Sequence, residues 1–126
     1  MVGHLLHYHP CIKLVKEMVK GGKLGKLYNI TSNRLNLGKI RQEENALWSF
    51  APHDISVILS LVGNVLPEEV HCVGSDYLTP GVVDTTMMTM KFSEKVRAHV
   101  YVSWLNPFKE QIKLNPRGMA SLKDSY

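Results

Sequence analysis

A short segment from Trp48 to Asp54 holds the residues best suited to chemistry. It reads Trp-Ser-Phe-Ala-Pro-His-Asp, so an imidazole and a carboxylate directly follow a proline. Proline favours the first turn of a helix, which places His53 at the positive helix end, where a neutral imidazole is favoured. A neutral imidazole can accept or donate a proton in catalysis. The structural alternative is a first-turn carboxylate at Asp54 and an ordinary surface histidine at His53.

A second polar set is suited to binding a ligand that carries phosphate and sugar groups. Guanidinium and amide groups beside an aromatic ring recognise such groups well. The set comprises Arg34, Asn36, Arg41, Asn45 and Trp48. Within the predicted strand, Arg34 and Asn36 share one face, which is unusual for a purely structural strand. The alternative is a solvated strand end and loop.

Other candidate sites have weaker support. His4, His7 and His9 have side chains that bind metals, but in an extended segment His4 faces away from the other two, so no metal site is assigned. The sequence contains no glycine-rich phosphate loop of either common type and no G-x-S-x-G nucleophile motif. Cys11 and Cys72 form no metal pattern and are predicted to be reduced, buried thiols.

Hydrophobic periodicity predicts the elements that position these groups. The predicted order is a helix at 10–20, a strand at 26–37, a loop at 38–51, a helix from Pro52 to Gly63-Asn64, and strands at 69–77, 82–92, 96–105 and 109–114. Helices followed by hairpin-linked strands predict an α+β fold: an open, mainly antiparallel β-sheet with two helices packed on one face. A length of 126 residues fits one domain over 1–126.

The uncovered face of this sheet is predicted to be a subunit interface. Its residues are polar and aromatic rather than densely charged, and faces of this kind often pair with a second copy. The candidate interface residues are Met87, Thr89, Arg97, His99 and Tyr101.

The composition of the chain argues against two classes of partner, nucleic acids and membranes. The formal charge is +4, but the basic residues are scattered, which argues against a nucleic-acid surface. No apolar run approaches the roughly 18 residues needed to span a bilayer, and the N-terminus does not resemble a signal peptide. The expected location is the cytoplasm, with no membrane partner.

Several segments together resemble the C-terminal domain of the Gfo/Idh/MocA oxidoreductases. They are GHLLHYHP (3–10), VKGGKLGKLYNITSNRLNLGKIR (19–41), ENALWSFAPHDISVILSLVG (44–63), the stretch around 81–84 and VSWLNPFKEQ (102–111). The order of a tryptophan, a short loop and then Pro-His-Asp resembles the corresponding motif of family members that act on nucleotide sugars and related polyols. The greatest likeness is to UDP-N-acetylglucosamine-type 3-dehydrogenases.

The resemblance implies a reaction and residue roles. Family members join an N-terminal Rossmann domain, which binds NAD or NADP, to a C-terminal domain that forms the substrate pocket and the oligomer interface. His53 corresponds to the histidine that handles the hydroxyl proton together with a Rossmann-domain lysine. The family often has an aspartate four residues before this histidine, where this chain has Ser49. The implied substrate-side residues are Arg34, Asn36, Arg41, Asn45, Trp48 and Asp54.

The family's glycine-rich fingerprint and lysine motif are absent from these 126 residues. The chain is therefore expected to be a fragment of a two-domain enzyme that binds a sugar or nucleotide sugar. Alone, it is expected to hold no cofactor and to be inactive. Two alternatives remain open: a non-catalytic dimerisation module and a stand-alone nucleotide-sugar-binding domain.

Overall fold

The computed structural model describes residues 5–23, 25–35, 43–105, 111–116 and 120–123. Two helices and six strands form within these ranges, together with two short 3-10 turns, at Leu5–Tyr8 and Ser93–Lys95. The elements are α1 (Pro10–Lys20), β1 (Leu27–Leu35), α2 (Ala46–Leu61), β2 (Glu69–Ser75), β3 (Thr85–Lys91), β4 (Arg97–Ser103), β5 (Gln111–Pro116) and β6 (Ala120–Lys123). No helix in these ranges is long and apolar enough to cross a membrane.

The six strands form one sheet in the order β2-β3-β4-β1-β5-β6. The β1–β4 pair is parallel, and the other four pairs of described strands are antiparallel. A parallel pair needs a long connection, which α2, β2 and β3 provide here. The predicted α+β fold, with an open and mainly antiparallel sheet, is confirmed.

The hydrophobic core lies between α2 and the sheet. Ala98, Val100 and Val102 of β4 are fully buried, and Trp104, which follows them on the same face, is 1% exposed. In the sequence these residues alternate with Arg97, His99, Tyr101 and Ser103, and that alternation predicts the observed buried face. Helix α1 contributes Ile12 and Val15 to the same core cluster, and α2 contributes Ala46, Ala51, Val57, Ile58 and Leu61.

Helix α1 has the predicted bounds, but the helical spacing of its apolar residues predicts a buried face that the structure does not fully reproduce; that face comprises Cys11, Leu14, Val15, Met18 and Val19. Ile12 and Val15 are buried, whereas Leu14 is 56% exposed. Cys11 and Cys72 are free thiols, and the prediction that they are buried is wrong because both are exposed. Cys72 lies on the edge strand β2, nearly all of which is exposed because α2 covers the central strands instead.

Helix α2 begins at Ala46 rather than at Pro52, which corrects the predicted loop over 38–51 within its described part. Asn45 is the N-cap, and its Oδ1 accepts a hydrogen bond from Trp48 N at 2.9 Å. Pro52 lies inside the helix and has no N–H for the carbonyl one turn earlier. The cap and the burial of Ala46 stabilise the early turns and offset the cost of the proline.

The strands also differ from the prediction at their ends. Strand β2 ends at Ser75 instead of residue 77, whereas residues 36 and 37, which the prediction assigned to β1, lie outside the described residues. Strand β5 continues through Pro116, where a turn was predicted, and β6 was not predicted. Proline is tolerated at the end of a strand because no further ladder bond is needed there.

Candidate functional site

One ion pair joins the end of β1 to the middle of α2. Arg34 Nε donates to Asp54 Oδ2 at 2.8 Å, and Arg34 Nη2 donates to Asp54 Oδ1 at 3.0 Å. The Asp54 side chain is 1% exposed and that of Arg34 is 13% exposed. Two parallel bonds match the planar guanidinium to the carboxylate, so Asp54 holds Arg34 in one orientation.

The register of the sheet explains how Arg34 reaches α2. Along β1, Ile30 is opposite Ala98 and Arg34 is opposite Val102, so both face the core side with these buried residues. The sequence pattern placed Ile30 and Arg34 on one face, and the structure agrees. The partner of Arg34 is a residue of α2 that the strand pattern alone did not indicate.

His53 lies in the third turn of α2, not in its first turn as predicted. The field of the helix dipole falls off within the first turn, so the argument from the helix end does not apply at this position. Successive helical residues are about 100° apart, and Asp54 faces Arg34 on β1, so the half-buried His53 faces a different direction. The two adjacent residues therefore serve different contacts.

A chain of hydrogen bonds connects α1 to the turn that carries His53. Ser56 Oγ donates to the His53 carbonyl at 2.8 Å, and His7 Nε2 lies 2.9 Å from Ser56 Oγ. Because Ser56 has one hydroxyl proton, its oxygen accepts from His7 Nε2–H, which leaves His7 Nδ1 to accept from Lys16 Nζ. Neither His7 nor Ser56 was singled out for this role in the sequence.

The other predicted substrate residues occupy the first turns of α2 or lie outside the described residues. Asn45 caps the helix, and Trp48 is 71% exposed. Ser49, four residues before His53 and thus on the same helix face, donates to Glu44 Oε1 at 3.0 Å. Asn36 and Arg41 lie outside the described residues, as does His4 of the histidine triple.

A buried acid that sequence reasoning did not assign lies beside the start of α2. Asp84 is 1% exposed, and its Oδ2 accepts from Leu78 N at 2.9 Å. In the part of the chain that the structure describes, its Oδ1 has no hydrogen-bond partner. The adjacent Val83 carbonyl accepts from Ala46 N at 2.8 Å, which connects this segment to the first turn of α2. The only sequence signal was the likeness of the 81–84 stretch to the family.

Two cavities in the described part of the chain lie away from Arg34, His53 and Asp54, which line neither of them. One, of about 330 Å³, lies between the end of α2 and the β3–β4 turn. The other, of about 370 Å³, lies between α1 and the end of α2. Within the described ranges, no group of three His, Cys, Asp or Glu side chains is arranged to hold a metal ion. The candidate site therefore consists of the Arg34–Asp54 pair and the half-buried His53 around the middle of α2.

The fold of the chain has counterparts among known proteins. A sequence model of the GFO/IDH/MocA C-terminal domain matches residues 12–118. The chain is similar to GenD2 from gentamicin A biosynthesis, solved in complex with NAD, with a TM-score of 0.80, 17% identity, and coverage of 95% of this chain and 39% of that one. None of the curated proteins compared with the chain matches it.

Two further solved structures share the fold. The WlbA dehydrogenase from Bordetella pertussis, in complex with NADH and UDP-GlcNAcA, gives a TM-score of 0.76 at 18% identity, covering 91% of this chain and 40% of that one. The scyllo-inositol dehydrogenase from Lactobacillus casei, with bound NAD(H) and scyllo-inositol, gives 0.78 at 16% identity, covering 97% and 41%. The chain thus spans 39–41% of the length of these three proteins.

Proposed function

Since the chain belongs to the GFO/IDH/MocA C-terminal domain family, we propose that it is the substrate-binding and oligomerisation domain of an NAD(P)-dependent oxidoreductase acting on a sugar or nucleotide-sugar hydroxyl. The match over residues 12–118 carries the proposal. It is supported by relatives of the same fold solved with NAD(H), one with UDP-GlcNAcA and one with scyllo-inositol.

The cofactor would be held by a dinucleotide-binding domain outside these 126 residues. A dinucleotide loop follows a strand and opens a helix. In this chain the glycines at Gly21 and Gly22 follow α1 and precede β1, which is the reverse order. The residues present therefore do not fit NAD or NADP, and we assign them no step in hydride transfer.

His53 is the proposed proton-transfer residue. Its imidazole lies on the half-buried third turn of α2, where it would accept the proton of a bound hydroxyl group as the alcohol is oxidised. The Arg34–Asp54 pair fixes this turn relative to β1, and the Ser56 hydroxyl fixes the His53 carbonyl. In this arrangement Asp54 is a positioning residue rather than the partner of the imidazole.

The substrate would lie along the N-terminal half of α2. The exposed Trp48 ring offers a flat surface for a sugar or base, and the Asn45 amide lies one turn earlier. Arg34 at the end of β1 belongs to the same proposed set, with its guanidinium paired to Asp54. Asn36 and Arg41 complete the proposed substrate-side set on sequence grounds.

The open face of the sheet is the proposed contact with a second copy. Met87 of β3 is 55% exposed and Val73 of the neighbouring β2 is 73% exposed, and the two are opposite each other in the register. Thr89 and His99 share this face and are hydrogen-bonded at 3.2 Å. Exposed apolar residues in the middle of a sheet face favour burial against a partner.

Ligand titration followed by amide NMR tests the proposed function. With UDP-N-acetylglucosamine and scyllo-inositol as separate probes, we expect at least one to shift the signals of residues 45–54, and we expect NAD to shift none. Binding of NAD with micromolar affinity would contradict the expectation that these 126 residues hold no cofactor site. A dimer that responds to neither sugar probe would instead favour a non-catalytic dimerisation module.

A further inference from the structure

The cavity between α1 and the end of α2 has a basic lining. Its polar residues are His7, Lys16, Lys20, Ser60 and Asn64, and Val19 and Leu61 complete the wall. Among the described residues, no acidic side chain belongs to this lining. The single acidic residue of α1, Glu17, is exposed and lies outside it.

The two lysines present their charges on the same side of α1. Lys16 and Lys20 are four residues apart, which places their stems on one helix face. Burial, and in second place the charge of Lys20, lower the pKa of Lys16. Lys16 also donates to His7 Nδ1, which fixes its ammonium group at the edge of the cavity. An anion between the two lysines would offset their repulsion.

We propose that this cavity binds a phosphate-sized oxyanion between Lys16 and Lys20. Lysine recognises phosphate as a compact positive charge, and the Asn64 amide adds neutral donors. A volume of about 370 Å³ accommodates a phosphate group and its water. The site is separate from the turn that carries His53, and the inference does not depend on the proposed oxidoreductase function.

The C-terminal ends of α1 and α2 both line the cavity and act against anion binding, because the last carbonyl groups of each helix carry about half a negative charge, or about one unit together. This partial charge is smaller than that of two ammonium groups, so the cavity remains positive overall. The competing explanation is that the lysines only neutralise the helix ends, in which case no anion binds. The two explanations predict different results on titration with phosphate.

Calorimetric titration of the 126-residue chain with inorganic phosphate, against sodium chloride at matched ionic strength, tests the proposal. We expect saturable binding at a single site. Lys16→Met and Lys20→Met should each weaken it by about tenfold or more, since each removes a charged contact. Lys13→Met is the matched control: Lys13 lies over the Tyr8 ring at 5.9 Å, outside the cavity, and its loss should change the affinity by less than about twofold.

Lys16→Met also removes the bond to His7, so circular dichroism must show that this variant is folded. If it is not folded, Lys20→Met decides, because Lys20 is exposed and lines the same cavity. Heats equal to those of the chloride reference would overturn the proposal. So would an equal loss of affinity in all three lysine variants, since that indicates attraction to net charge rather than a site.

Discussion

Arg34 and Asp54 are joined by two parallel hydrogen bonds, of 2.8 and 3.0 Å, beneath the middle turn of α2. The strand and the helix that carry them are separated in sequence, and this contact sets how the helix lies on β1. The residue before Asp54 is His53, so the same contact fixes the backbone of the proposed proton-transfer residue. The ion pair therefore has both a structural and a positioning role.

Loss of either partner should destabilise the fold strongly. We expect Asp54→Asn and Arg34→Met each to lower the free energy of unfolding by about 3 kcal/mol, because a buried charge is left without its partner. Urea denaturation measures this. The control is Lys91→Met, which breaks a 3.4 Å pair with Glu69 at an exposed position and should cost less than about 1 kcal/mol. Similar small losses at both pairs would contradict the structural role.

The cap of α2 should contribute measurable stability. Asn45→Ala removes the acceptor for Trp48 N and should cost about 1 kcal/mol, whereas Asn45→Asp keeps an acceptor and should cost little. Amide hydrogen exchange at Trp48 should also become faster in the alanine variant. Unchanged exchange and stability would mean that the early turns of α2 do not depend on this cap.

His53→Asn tests the proposed proton-transfer role in the proposed two-domain enzyme. We expect turnover to slow by about a hundredfold, with a smaller change in KM. Tyr77→Phe, at a 69% exposed position after β2, serves as the control and should leave turnover unchanged. Normal turnover in the His53 variant would reject the role.

The proposed sheet-face contact makes a prediction about oligomeric state. Met87→Lys places a charge in the middle of the open face and should convert a dimer into a monomer in light scattering. Leu66→Lys alters an 81% exposed residue between α2 and β2, away from that face, and should leave the dimer intact. A wild-type chain that stays monomeric at high concentration would exclude this interface.

Because of Lys16, the free energy of unfolding should depend on pH in the alkaline range. Its pKa in the folded chain lies below the value of 10.5 expected when unfolded, so between the two the unfolded state binds more protons. The free energy of unfolding should therefore rise with pH in this interval. Comparison of wild type with Lys16→Met by urea denaturation isolates the effect, and Lys13→Met should retain the wild-type slope. If the free energy of unfolding changed equally with pH in the wild type and in Lys16→Met, this prediction would be contradicted.

Local patterns predicted much of the fold. The alternation along β4 identified its buried face, and Pro10 with the glycines after Lys20 gave the bounds of α1. The predicted start of α2, at Pro52, is wrong because it followed the preference of proline for the first turn of a helix. The capping preference of Asn45 indicates the observed start at Ala46. Ala46 and Ala51 are buried against other elements, and this burial stabilises the helix despite the proline within it. Local sequence does not reveal such tertiary packing.

The candidate site was predictable in its residue types but not in its contacts. The face of Arg34 follows from strand periodicity, whereas its pairing with Asp54 depends on the packing of α2 on β1. The contact of His7 with Ser56 has the same origin, since it joins residues 49 positions apart. Cys72 was assigned to the interior because its type is usually buried, but the extent of the helical cover over a sheet is a tertiary property.

The position of β1 also has a consequence for how the chain folds. Within the sheet, β1 lies between β4 and β5, so Ile30 pairs with Ala98 and Leu114, which are made much later during synthesis. Strands β3 and β4 can meet locally as a hairpin, but a central strand emerges long before its neighbours. Pairing between residues this far apart in sequence gives a high contact order, which slows folding. Until residue 103, the end of β4, has left the ribosome, β1 lacks its β4 partner and is exposed to incorrect pairing.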